Sequence, residues 1–222
     1  MKLKEFDLWA FKLPLDESHK FTLFIRHICA HFERHFESIQ TNNVFRVIIK
    51  ISAEDDRLGT VEESSSVLKY YKNYNFDSFY KLDDDSKKIF ILDFLYQSLL
   101  ELCDALEWPK ESFKYAYEMV LKENFINRYC LLKKTTRNKK MIAELVCHHE
   151  ADAFRCFLEV MDKSRVKVFS HLLFSEVPDE FFFNGRIGGI KWLTNDILVH
   201  QKKDKTELKR YQFNENGYQK II

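Results

Sequence analysis

Breakers of regular structure are scarce in this chain: its 222 residues include 5 glycines and 3 prolines. That shortage excludes a long flexible linker or a low-complexity segment. Long apolar runs are missing too. No stretch reaches the roughly eighteen residues a membrane span needs, so no membrane association is expected. Near the N-terminus, Glu5, Asp7 and Lys12 interrupt any signal-peptide core. Cys29, Cys103, Cys130, Cys147 and Cys156 are odd in number and contain no CxxC pair. Set mostly among apolar neighbours, they read as buried free thiols of a reducing compartment, and the cytoplasm is the expected location.

Several catalytic signatures are absent as well. Neither GxGxxG nor GxxxxGK[ST] occurs, and there is no GxSxG elbow and no HExxH. Gly185, Gly188 and Gly189 precede a strand-like run instead of opening a helix. They lack the dipole a phosphate loop exploits, so a bulge or sharp turn is expected there. A net charge of +1 excludes whole-chain attraction to nucleic acid or a membrane. The halves differ, however. Residues 1–111 hold 15 basic and 20 acidic side chains, and residues 112–222 hold 20 and 14. Such a split can orient the chain toward a charged partner.

What is present is a strong apolar pattern. Residues 86–125 contain Ile89, Leu92, Leu95, Tyr96, Leu99, Leu102, Cys103 and Leu106 at steps of three and four, widened by Phe90, Ile91, Phe94 and Leu100. A belt this broad predicts a helix buried on more than one side. Asp83, Asp84, Asp85 and Ser86 supply helix-start chemistry. After the break at Trp108 and Pro109, with Pro109 in a first turn, Phe113, Ala116, Tyr117, Val120 and Leu121 predict a second helix. Upstream, residues 6–13 read as a strand, 19–39 as a helix and 44–51 as a buried strand. Residues 53–66 read as a polar loop.

Beyond Asn127 the period falls to about two. Strands are expected at 128–133, 141–148, 153–161, 165–174, 187–193, 197–201 and 207–213, with 214–222 trailing over the surface. The fold class is therefore α+β: an N-terminal strand-helix-strand, a central buried helical hairpin and a C-terminal antiparallel β-meander. Two regions follow, 1–125 and 126–222, packed as one unit, with the hairpin covering the meander. Trp9, Trp108 and Trp192 are expected in the core or at its edge.

Three groups of residues carry possible chemistry. His27, His31 and His35 recur every four residues along one helix face, and two such histidines plus a ligand from elsewhere make an open metal site. The stretch 147–152, CHHEAD, holds five potential ligands: Cys147, His148, His149, Glu150 and Asp152. On a strand, though, His148 and Glu150 fall on one side and Cys147 and His149 on the other. The loop 133–140 bears Lys133, Lys134, Arg137, Lys139 and Lys140 with no acid, which suits a phosphate backbone or an acidic protein surface. It has no interleaved aromatics for base stacking. The expected function is a non-enzymatic protein-protein interaction module with no cofactor, such as a cytoplasmic inhibitor or immunity-type protein. The alternatives are a metal-dependent enzyme on the histidine face and nucleic-acid binding through the basic loop.

Overall fold

The structure, a computed structural model, describes every residue except Lys12, Asn75, Glu215, Asn216 and Ile222, and all side chains but theirs, that of Asp77 and those of residues 217–221. The chain divides into two units, Met1–Ile126 and Asn127–Ile222.

In the first unit, Phe6, Leu8 and Ala10 alternate with Glu5, Asp7 and Trp9 along β1 (Glu5–Ala10), so one face is fully buried. β2 (Arg46–Ser52) lies parallel beside it, in register from Glu5 with Arg46 to Ala10 with Ile51. A parallel pair needs a crossover, and α1 (Leu15–His35) supplies it. β4 (Val67–Asn73) extends the sheet in parallel, and β3 (Val61–Ser64) closes the edge antiparallel to it, giving the order β1-β2-β4-β3. Ser65 and Ser66, at φ 51° and 67°, make the two-residue turn between them. The short α2 (Phe76–Tyr80) leads to the hairpin.

α3 (Asp84–Leu106) is capped by Asp83, which accepts a hydrogen bond from the Ser86 amide at 2.9 Å. It stops where Glu107 turns left-handed, and α4 (Glu111–Lys122) begins after Lys110. Pro109 thus precedes the second helix and is not part of its first turn. Ile91, Leu92, Leu95 and Leu99 of α3 and Phe113, Ala116 and Val120 of α4 share one core with Phe6, Val47, Ile49, Ile25 and Phe32. Ile89 and Leu106 stay exposed, so the apolar belt is narrower than its composition suggests.

The second unit contains two antiparallel sheets. The first runs in chain order through β5 (Arg128–Thr135), β6 (Met141–His149), β7 (Phe154–Asp162) and β8 (Lys167–Glu176). After α5 (Glu180–Phe183), the second takes β9 (Gly189–Trp192), β10 (Ile197–Gln201), β11 (Glu207–Asn214) and β12 (Gly217–Ile221). Leu145, Cys147, Phe154, Leu158 and Val160 of the first sheet and Ile190, Leu198, Tyr211 and Phe213 of the second form one core. The inner faces of the two sheets therefore cover one another. Gly188 makes the entry to β9 possible. Its φ is +64°, and a Cβ there would fall 2.2 Å from the Gln201 carbonyl oxygen.

Several expectations need correction. α1 runs over Leu15–His35 and not 19–39, because Pro14 sits at its start and Phe36 leaves the helix at ψ 115° to place its ring 4.8 Å from Phe6. The first strand ends at Ala10, and Lys12 within the expected 6–13 lies outside the described residues. The loop at 53–66 contains β3, whose four residues are all exposed and so carry no apolar alternation. The expected trailing tail instead pairs with β11 as β12. Cys130 is exposed, while the other four thiols are buried. Trp9 is half-exposed on the outer sheet face, with Lys50 Nζ 3.2 Å from its ring centre.

Candidate functional site

The basic loop joins β5 to β6, and the turn joining β9 to β10 lies against it. Asn195 Oδ1 accepts a hydrogen bond from the Asn138 amide at 3.2 Å. Trp192 Nε1 donates to the Lys134 carbonyl at 3.1 Å, and its ring meets Phe213 with centroids 5.6 Å apart. Between the two turns is a cleft of about 440 Å³ lined by Lys134, Thr135, Arg137, Lys191, Trp192, Leu193, Thr194 and Asn195. Three cations face it and no carboxylate does. Among the described residues, Lys134, Arg137 and Lys191 have no ion-pair partner, whereas Lys133 is held by Glu144 at 2.9 Å. Lys139 and Lys140 are exposed on the same loop but do not line the cleft. Local spacing could not reveal Lys191 and Trp192, which reach the loop from more than fifty residues away.

The histidine face resolves differently. Glu123, the residue that ends α4, reaches the last two turns of α1. Its Oε2 accepts from His31 Nε2 at 2.7 Å and from His35 Nε2 at 3.0 Å, and Arg34 pairs with the same oxygen. An acid at a helix C-terminus faces the negative end of the dipole, so cationic or donor partners are called for. His27 does not join: its Nδ1 donates to the Phe24 carbonyl at 2.6 Å. His31, His35 and Glu123 offer ligand atoms all within 4.8 Å of one another. Burial dominates His31 and lowers its pKa to about 4, against the raising effect of Glu123. Burial works to raise the Glu123 carboxyl, but hydrogen bonds from His31, His35 and Arg34 prevail and hold it at about 2. The imidazole is thus neutral and the carboxylate ionised at neutral pH. Apart from the position of Glu123 against its helix dipole, nothing in the sequence singles it out.

The CHHEAD stretch separates as its alternation requires. Cys147 and His149 point into the core, where His149 Nε2 bonds the Pro178 carbonyl at 3.0 Å. His148 faces outward and accepts from Arg128 Nε at 3.1 Å, while Glu150 pairs with Arg155. These residues form no shared ligand set. No helix among the described residues is long and apolar enough to cross a membrane. No family model, curated protein or solved structure matches this chain.

Proposed function

We propose that the protein is a non-enzymatic protein-binding module, of the kind that binds and masks a toxin or enzyme in the cytoplasm, and that the basic cleft grips an acidic segment of its partner. The observation that carries this reading is the concentration of Lys134, Arg137 and Lys191 around Trp192 in a concave site without a carboxylate. Arginine and tryptophan are the residue types most often found at the energetic centre of protein interfaces. The lining contains no imidazole, thiol or carboxylate, so it offers ionic grip and apolar contact without an acid-base pair. Phe181, 89% exposed, and its neighbour Phe182 add large apolar groups held in water on α5.

An acidic protein segment fits better than a nucleic acid strand. A strand needs a continuous basic track. Elsewhere in this unit carboxylates interrupt such a track: Glu159 pairs with Arg128 and Lys167, Asp152 and Glu150 with Arg155, Glu176 with Arg186 and Glu207 with Arg210. The test uses the full-length protein with a photo-crosslinking residue in place of Leu193, expressed in its native cells. A single stoichiometric partner, crosslinked through an acidic segment, is expected. The triple variant K134E/R137E/K191E should weaken binding to that partner about a hundredfold, at about 1 kcal/mol per reversed charge. Equal affinity for the wild type and the triple variant refutes the reading. Salt-dependent binding of a single-stranded oligonucleotide, lost in the triple variant, would replace it with nucleic-acid binding.

A further inference from the structure

We propose that His31, His35 and Glu123 form a binding site for a divalent transition-metal ion of the zinc class, with Nε2 of each imidazole and Oε2 of the carboxylate as protein ligands and water completing the coordination. The site belongs to the first unit and rests on observations separate from those of the basic cleft.

The first is convergence. His31 and His35 are one helical turn apart on α1, and Glu123 comes from the end of α4, 92 positions beyond His31. Two imidazoles and one carboxylate are a common donor set for zinc and its neighbours. The second is distance. Oε2 lies 2.7 Å from one imidazole nitrogen and 3.0 Å from the other. Ligands about 2.0–2.1 Å from a tetrahedral ion stand roughly 3.3 Å apart. Oε2 therefore needs to part from each nitrogen by only about half an ångström, and all three ligand atoms lie within 4.8 Å of one another, a spread that rotations about the side-chain torsions of Glu123 and His35 can adjust. Ligation through Nε2 places each imidazole's proton on Nδ1.

Two features set the strength. Arg34 occupies the same carboxylate oxygen and must withdraw before an ion enters. Its side chain is one-quarter exposed, which leaves it a route into solvent. His31 Nδ1 is buried without a hydrogen-bond partner. Metal-bound histidines usually donate this second nitrogen's proton to an acceptor, and the loss of such support typically costs 10–100-fold in affinity. The ion is accordingly held more weakly than at a fully supported site, and it ties α1 to α4.

The experiment is a titration of the metal-free, full-length protein with Co²⁺, read by its visible d–d bands, and with Zn²⁺, read by calorimetry. One equivalent should bind, and E123Q and H35A should abolish that binding. The informative variant is R34A, which keeps every ligand and removes the competitor. A charge-assisted hydrogen bond of about 1.5 kcal/mol corresponds to roughly tenfold, so R34A should bind the ion about ten times more tightly. Unchanged or weaker affinity in R34A overturns the proposal. So does binding that survives E123Q, which would place the ion on other histidines such as the outward-facing His148, and so does the absence of saturable binding in the wild type.

Discussion

Gly188→Ala probes the packing of the second sheet, because two separable costs meet at this residue. A left-handed conformation costs an alanine about 1–2 kcal/mol relative to glycine. The added Cβ would also lie 2.2 Å from the Gln201 carbonyl oxygen and 3.1 Å from its carbon. Both are backbone atoms at the end of β10, where Gly189 pairs with Gln201. Relief requires a movement of more than about 1 Å to reach ordinary contact. That movement strains the Gly189–Gln201 pair and the bond from His200 Nε2 to the Ile187 carbonyl, 3.0 Å long. Each such bond is worth about 1 kcal/mol, so the total loss is about 2–4 kcal/mol. Gly59→Ala isolates the conformational part: φ is +81° but nothing lies within 4 Å of the new Cβ, so about 1–2 kcal/mol is expected. Gly185→Ala meets neither cost and should fall within about 0.5 kcal/mol of the wild type. Urea unfolding monitored by hydrogen exchange reads Gly59 in the first unit and Gly188 in the second. If Gly188→Ala costs no more than Gly59→Ala, the close approach of β9 to β10 is not a constraint. Since β9 carries Lys191 and Trp192, Gly188→Ala should also weaken partner binding while the protein remains folded.

Two further outcomes test the core and the pH response. Phe113 is fully buried between Phe36 and Phe6, with ring centroids 4.8 and 6.0 Å away, so Phe113→Ala should lower the first unit's stability by about 3–5 kcal/mol in denaturant titrations. A loss below about 1 kcal/mol would show that the site collapses around the cavity. In the second unit, burial lowers the His200 pKa, against the raising effect of the Ile187 carbonyl and with further lowering by Lys209. The unfolded chain therefore binds a proton more readily than the folded one below about pH 6.5. The stability this group contributes is full above that pH and is lost as pH falls toward its folded pKa. Unfolding curves of the second unit at pH 7.5 and 5.5 should diverge, and His200→Gln should narrow the gap. His148 and His171, lowered mainly by burial, keep part of it. An equal gap in the variant would exclude His200 as a source.

Much of the fold was legible because periodicity records which side of an element is buried. The steps of three and four in α3 and α4, and the alternation of Phe154, Cys156, Leu158 and Val160 in β7, mark their types directly. β3 was not legible, since it has no buried face to leave a pattern and exists through its pairing with β4. β12 likewise follows from the free edge of β11. The parallel pairing of β1, β2 and β4 depends on the path of α1 and on where the chain returns, which no local window contains.

The sites divide in the same way. By itself, the sequence determined that the 133–140 loop is basic, that His31 and His35 share a helix face, and that Cys147 and His149 oppose His148. These are properties of neighbours on one element, where backbone geometry dictates direction. Tertiary structure decided that Trp192 and Lys191 complete the basic loop, that Lys133 is neutralised by Glu144, and that Glu123 in place of His27 joins the two histidines. Each of those outcomes depends on how helices and sheets pack across tens of residues. Packing is governed by the shape and volume of whole apolar faces, and that information is spread along the chain and not written at any one position.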